Sequence, residues 1–73
     1  MKPLTFADIT ESGVIAAFDS RHGLWWEMSL NERGVVVMTS LHPNTPEGKP
    51  AERPVYGMVD KREVKSGRYL IPS

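Results

Sequence analysis

Two histidines are the first candidates for chemistry in this 73-residue chain. His22 and His42 each end an apolar run and stand beside a turn. A metal centre would need both of them to converge with carboxylates such as Asp19 or Glu47. Their spacing gives no sign of that, so solvent-facing turn histidines are expected. Ser20-Arg21-His22 sets a hydroxyl near an imidazole. Nucleophilic triads, however, are assembled by tertiary contacts and not by neighbours in a loop. Gly48-Lys49 lacks the rest of a phosphate-binding loop. Five acidic residues lie in the first 41, yet no two form an evidently desolvated acid/base pair. Cysteine is absent, which removes disulfides, thiolate metal sites and thiol nucleophiles together. The expectation is a chain that is not an enzyme and holds no metal or cofactor.

Trp25-Trp26 is the most informative pair. Adjacent residues on a strand point to opposite faces. Trp26 falls among apolar residues and reads as core. Trp25 falls on a mixed face with Ile15, Val36 and Met38. A Trp among aliphatic neighbours makes a protein-binding hot spot, since Trp and Met are enriched at interface cores. The other reading is that the C-terminal segment folds over this face and makes it a second core. A third is base stacking, as on small β-barrels, which needs cations nearby. The basic residues are mostly downstream, at Arg53, Lys61, Arg62, Lys65 and Arg68. Such a run is also what a solvated face looks like.

The elements that must position these residues are strands. Val14–Phe18, Leu24–Leu30 and Val35–Leu41 are apolar runs separated by Asp19–Gly23 and Asn31–Gly34. Both connectors end in Gly, which accepts the positive φ of a tight hairpin. Val, Ile, Trp and Thr favour strand over helix. The simplest register pairs Leu30 with Val35 and Phe18 with Leu24. Val14, Ala16, Phe18, Trp26, Met28 and Val37 then share one apolar face, subject to a one-residue slip if either turn bulges. The meander leaves two open edges, Val14–Phe18 and Val35–Leu41. The second has no charge near Val35-Val36-Val37-Met38 to protect it, so either the C-terminal segment or a partner peptide can pair there.

Thr5-Phe6-Ala7-Asp8 has the shape of a capping box and predicts a short helical turn that Gly13 ends. A longer helix to Phe18 would place Gly13 in its interior, against propensity. Residues 42–54 hold four prolines and no large apolar side chain, so no strand or helix is expected there. Residues 55–73 form either a C-terminal hairpin completing a small barrel or a partly disordered tail. The predicted fold is therefore mainly β, small α+β. It is a three-stranded antiparallel meander in residues 1–41 with an N-terminal helical turn, a Pro-rich loop or linker over 42–54, and a hairpin or tail over 55–73.

Nine basic residues balance nine acidic ones. A neutral chain that is 40% hydrophobic is not a disordered polyelectrolyte. At this size it has one thin core and a stability of about 3–5 kcal/mol. No apolar run approaches a membrane span, so a soluble cytoplasmic protein is expected. A monomer is favoured over a dimer, although an unprotected edge gives a dimer a route.

The chain length, Gly23-Leu24-Trp25-Trp26 and Val35-Val36-Val37-Met38 resemble the small RNA-polymerase-binding transcription regulators of lytic Xanthomonas phages. That resemblance implies binding to bacterial RNA polymerase in the host cytoplasm, inhibition of initiation, and antitermination. The contact patch expected from the strands themselves is Trp25, Ile15, Val36 and Met38. The alternative is a small SH3-like or OB-like nucleic-acid binder that uses Trp25 and the downstream cations.

Overall fold

The computed structural model describes all 73 residues. In chain order the elements are β1 (Lys2–Pro3), α1 (Phe6–Ser12), β2 (Val14–Asp19), β3 (Leu24–Leu30), β4 (Val36–His42), β5 (Lys49–Pro50), β6 (Tyr56–Val59), α2 (Lys61–Val64) and β7 (Tyr69–Ile71). The chain is mainly β, as its sequence predicts, with two short helices, of which only the N-terminal one was expected. The sheet runs β1-β7-β2-β3-β4-β5, and β6 also pairs with β4. Every pairing is antiparallel.

Helix α1 begins where the capping box predicts. The Thr5 hydroxyl accepts from the Asp8 N–H, and the Asp8 carboxylate accepts from the Thr5 N–H. Gly13 ends the helix, and β2 follows at once, so the longer helix does not form.

The meander forms, but both of its registers differ by one residue from the simplest pairing. Leu30 pairs with Val36 rather than Val35. Asn31 causes this. Its side-chain oxygen accepts from the Arg33 and Val35 N–H groups, and its own N–H donates to the Val35 carbonyl. Asn31 and Val35 therefore close a three-residue loop, with Gly34 at φ +75° supplying its left-handed position. At the other turn Leu24 pairs with Asp19, not Phe18. Asp19 is the last residue of β2 rather than a turn residue, because its carboxylate is buried and fully partnered.

Strand side chains alternate, so a one-residue slip exchanges faces. β3 keeps its predicted face, with Trp26 and Met28 in the core. β2 and β4 are inverted: Ile15, Ala17, Val36 and Met38 face the core, while Val14, Ala16, Phe18 and Val37 face away.

Residues 55–73 are ordered, but they are neither a hairpin nor a tail. β6 closes the β4 edge, and β7 pairs with β2 on the opposite side of the sheet. The crossover between them carries α2 over the core face, where Val64 is fully buried. Val59, Val64, Tyr69 and Ile71 join Leu4, Ile9, Ala17, Trp26, Met28, Val36 and Met38 in one core. The 1–41 segment is therefore not a core by itself. The Pro-rich stretch contains one two-residue strand, β5, at the sheet's edge, where Pro50 tolerates its missing donor.

Both helices cover the same face. Ile9 of α1 and Val64 of α2 enter the common core, and Lys61 Nζ lies 4.5 Å from the centre of the Phe6 ring. The opposite face carries no helix.

Candidate functional site

The densest cluster of ionisable groups is built around Asp19, whose side chain is 0% exposed. Its Oδ1 accepts from Arg21 N–H at 3.0 Å and from Arg68 Nε at 3.1 Å. Its Oδ2 accepts from Arg68 Nη2 at 3.2 Å and Trp26 Nε1 at 3.3 Å, and lies 2.9 Å from His22 Nδ1. Burial alone would push this carboxyl up. The bonds from Arg68, His22 and the Arg21 N–H outweigh burial and hold it well below the usual carboxylate range. The same contact raises the Arg68 guanidinium. Arg68 also reaches Glu63 at 3.6 Å.

This cluster ties β2 to β7 across 49 residues of sequence. Its geometry is that of a structural lock. The Ser20 hydroxyl donates to the Arg68 carbonyl at 2.8 Å and is not presented to His22 as a nucleophile. No group of three or more His, Asp or Glu side chains converges at a spacing that would hold a metal ion. Sequence reasoning placed Asp19 in a turn and Arg68 among free cations. The bond joining them is tertiary, and no local pattern announces it.

The second candidate is the bare face. The Phe18 and Trp25 rings meet at 5.4 Å with a 54° tilt, and Leu70 pairs beside Phe18. The Trp25 backbone is fixed by Asn44, which accepts from its N–H at 2.6 Å and donates to the Gly23 carbonyl. At the other end, Val37, Met38, Thr39, Tyr56, Gly57 and Met58 line an open apolar groove of about 480 Å³. Tyr56 and Met58 are 74% and 73% exposed.

Of the expected contact patch, only Trp25 directs its side chain to this face, and Met38 borders the groove from the core. Val36 is 1% exposed and Met38 8%, and Ile15 packs against the core from the helix-covered side. The four residues do not form one surface. Val37, Tyr56 and Met58 take the place of the other three. The missed signal was the alternation in Val55-Tyr56-Gly57-Met58-Val59, where large side chains at i and i+2 flank a Gly.

The expected nucleic-acid residues are also divided. Arg68 is engaged by Asp19 and Glu63. Lys61 and Arg62 belong to α2 and Lys65 caps it, on the helix-covered side of the sheet. Arg53 stands in the loop before β6. Trp25 and the α2 cations Lys61, Arg62 and Lys65 therefore lie on opposite sides of the sheet.

Bare face and lock together define a small mainly β domain with one closed and one open sheet face. Comparison with protein families, with curated proteins and with solved structures gives no match. No helix is long and apolar enough to cross a membrane.

Proposed function

We propose that this chain is a small protein-binding regulator that docks through the bare sheet face. The observation that supports this is a sheet face over which no helix lies, with Phe18 and Trp25 forming an apolar patch at one end and Val37, Tyr56 and Met58 another at the other. Aromatic and Met side chains on a rigid sheet are what interface cores are enriched in. The proposed partner is bacterial RNA polymerase in the host cytoplasm, as the resemblance to phage regulators implies, with inhibition of initiation and antitermination as the outcome. Trp25 is the proposed anchor, with Tyr56 and Met58 forming a second contact at the other end of the face. The nucleic-acid alternative is disfavoured because Arg68 is held by Asp19 and Glu63 and the α2 cations lie on the side of the sheet opposite Trp25.

The test is binding of the tagged protein to purified bacterial RNA polymerase, at low and high salt, after nuclease treatment. Binding that persists at high salt and weakens about tenfold or more in Trp25→Ala and Met58→Lys supports the proposal. No binding to the polymerase refutes that partner. Binding that needs nucleic acid and collapses with salt would transfer the function to the cationic side.

A further inference from the structure

The strand β6 is a free sheet edge. It pairs with β4 on one side and with nothing on the other. The Ser40 N–H donates to the Val55 carbonyl, which fixes the phase of this ladder. With Met38 opposite Gly57 and Val36 opposite Val59, those pairs exchange the β4–β6 hydrogen bonds. The N–H and C=O groups of Tyr56 and Met58 therefore point outward. Natural edge strands are usually blunted by Lys, Pro or a bulge. At the far edge β1 consists of Lys2 and Pro3 and is blunted in this way. The β6 sequence Tyr-Gly-Met-Val carries neither device, nor any charge.

This edge is self-complementary. Two antiparallel copies centred on Gly57 set Tyr56 of each against Met58 of the other. Both outward residues then use their donor and their acceptor, giving four hydrogen bonds. Tyr56 and Met58 lie on the bare face, so each Tyr56 ring meets a Met58 thioether, a favourable sulfur–aromatic contact. On the core side the axis meets only Gly57, which has no side chain. The space a Cβ would occupy there is already taken by Met38, whose Cε would lie 2.8 Å from it. We propose that the chain self-associates through β6 into a two-fold dimer whose sheet continues from one copy into the next.

Net charge permits a second copy as the occupant, and the buried area sets how tightly it is held. Nine basic and nine acidic residues leave the copies without net repulsion. Covering Tyr56, Met58 and the adjoining groove removes roughly 400 Å² per copy, about half of what each side of a standard interface buries. The dimer is therefore weak and appears only with concentration. The inference goes beyond the polymerase reading and holds whether or not that partner binds.

The experiment is sedimentation velocity of the full chain from about 10 µM to about 1 mM, spanning the range of weak interfaces. The expected result is a rise from the 8.2 kDa monomer towards twice that mass. Hydrogen exchange at the Tyr56 and Met58 amides should slow in parallel. Met58→Lys should remain monomeric throughout while keeping its circular dichroism spectrum, since the side chain is 73% exposed. A wild type that stays at 8.2 kDa overturns the proposal. So does a dimer that Met58→Lys leaves intact, or growth into open-ended oligomers, which a closed two-fold does not produce.

Discussion

Replacing Asp19 with Asn removes one charge and almost no volume, which makes it the sharpest probe of the lock. Six nitrogens surround the carboxylate: Arg68 Nε and the Arg21 and His22 N–H groups converge on Oδ1, and Arg68 Nη2, Trp26 Nε1 and His22 Nδ1 converge on Oδ2. An amide nitrogen at either position faces donors with a donor. Arg68, only 21% exposed, is left with Glu63 at 3.6 Å as its sole charged partner. Breaking a buried pair on one side costs about 3–5 kcal/mol. A fifth of Arg68 is still solvated, so the lower figure, about 3 kcal/mol, applies. Against a total of about 3–5 kcal/mol, Asp19→Asn should be close to unfolded at 25 °C. Arg68→Gln leaves the carboxylate its other donors and should cost less, about 2 kcal/mol. Urea unfolding followed by Trp fluorescence measures both, with a midpoint shift of about 2 M for Arg68→Gln at a slope near 1 kcal/mol/M. The double variant should show a coupling of about 1–2 kcal/mol. If Asp19→Asn costs under about 1 kcal/mol, the carboxylate is not holding the sheet and the lock is misread.

The same lock sets a pH dependence. Because the folded-state pKa of Asp19 is depressed, its contribution is whole above the unfolded value of about 3.9 and fades as pH falls from about 5 to below 2. Wild type should therefore lose more stability over that range than Asp19→Asn does, and Asp8, depressed in both proteins by its capping bonds to Thr5, cancels from the comparison. Thr5→Ala removes the cap of α1 and should cost about 1 kcal/mol by thermal unfolding. Gly48→Ala drives a Cβ into the Pro43 carbonyl oxygen, with Leu41 Cβ 3.1 Å away, and backbone cannot yield as a side chain does; a loss of about 1–3 kcal/mol is expected. Trp25→Ala should fold with a loss of about 1–2 kcal/mol, mostly from the Phe18 contact, and should weaken polymerase capture; unchanged folding and capture would remove Trp25 from the site.

The strands of the meander, the capped helix and its stop at Gly13 were legible because each rests on local chemistry. The faces of β2 and β4 were not, and the reason is the same at both turns. Asn31 and Asp19 read as turn residues by composition. In the fold, Asn31 closes a shorter loop with its side chain, and Asp19 is drawn into β2 by Arg68 from far along the chain. Each effect moves the register by one residue, and in a strand one residue exchanges core for surface. Trp25 survived as a surface residue only because β3, between the two slips, kept its phase. The alternation over residues 55–59 puts Tyr56 and Met58 on one side of a strand, but which edge β6 closes is decided by a crossover rather than by any local signal.

The bare face follows from where the helices must run. Helix α1 lies between β1 and β2, and α2 lies in the crossover from the β4 edge to the β2 edge. Both lie on one side, joined where Lys61 meets Phe6. An antiparallel sheet tolerates water on its other side, but its outward positions then become polar. Here Glu27, Ser29 and Thr39 obey that rule, whereas Phe18, Trp25, Val37, Tyr56, Met58 and Leu70 do not. The polar positions lie in the middle of the sheet, and the large apolar ones gather at its two ends. A face that only needed solvation would have no use for a tilted aromatic pair at one end and an open groove beside an unpaired edge at the other. Two separated apolar contacts on a rigid sheet suit a flat protein surface better than a small ligand, which would require one enclosed cavity.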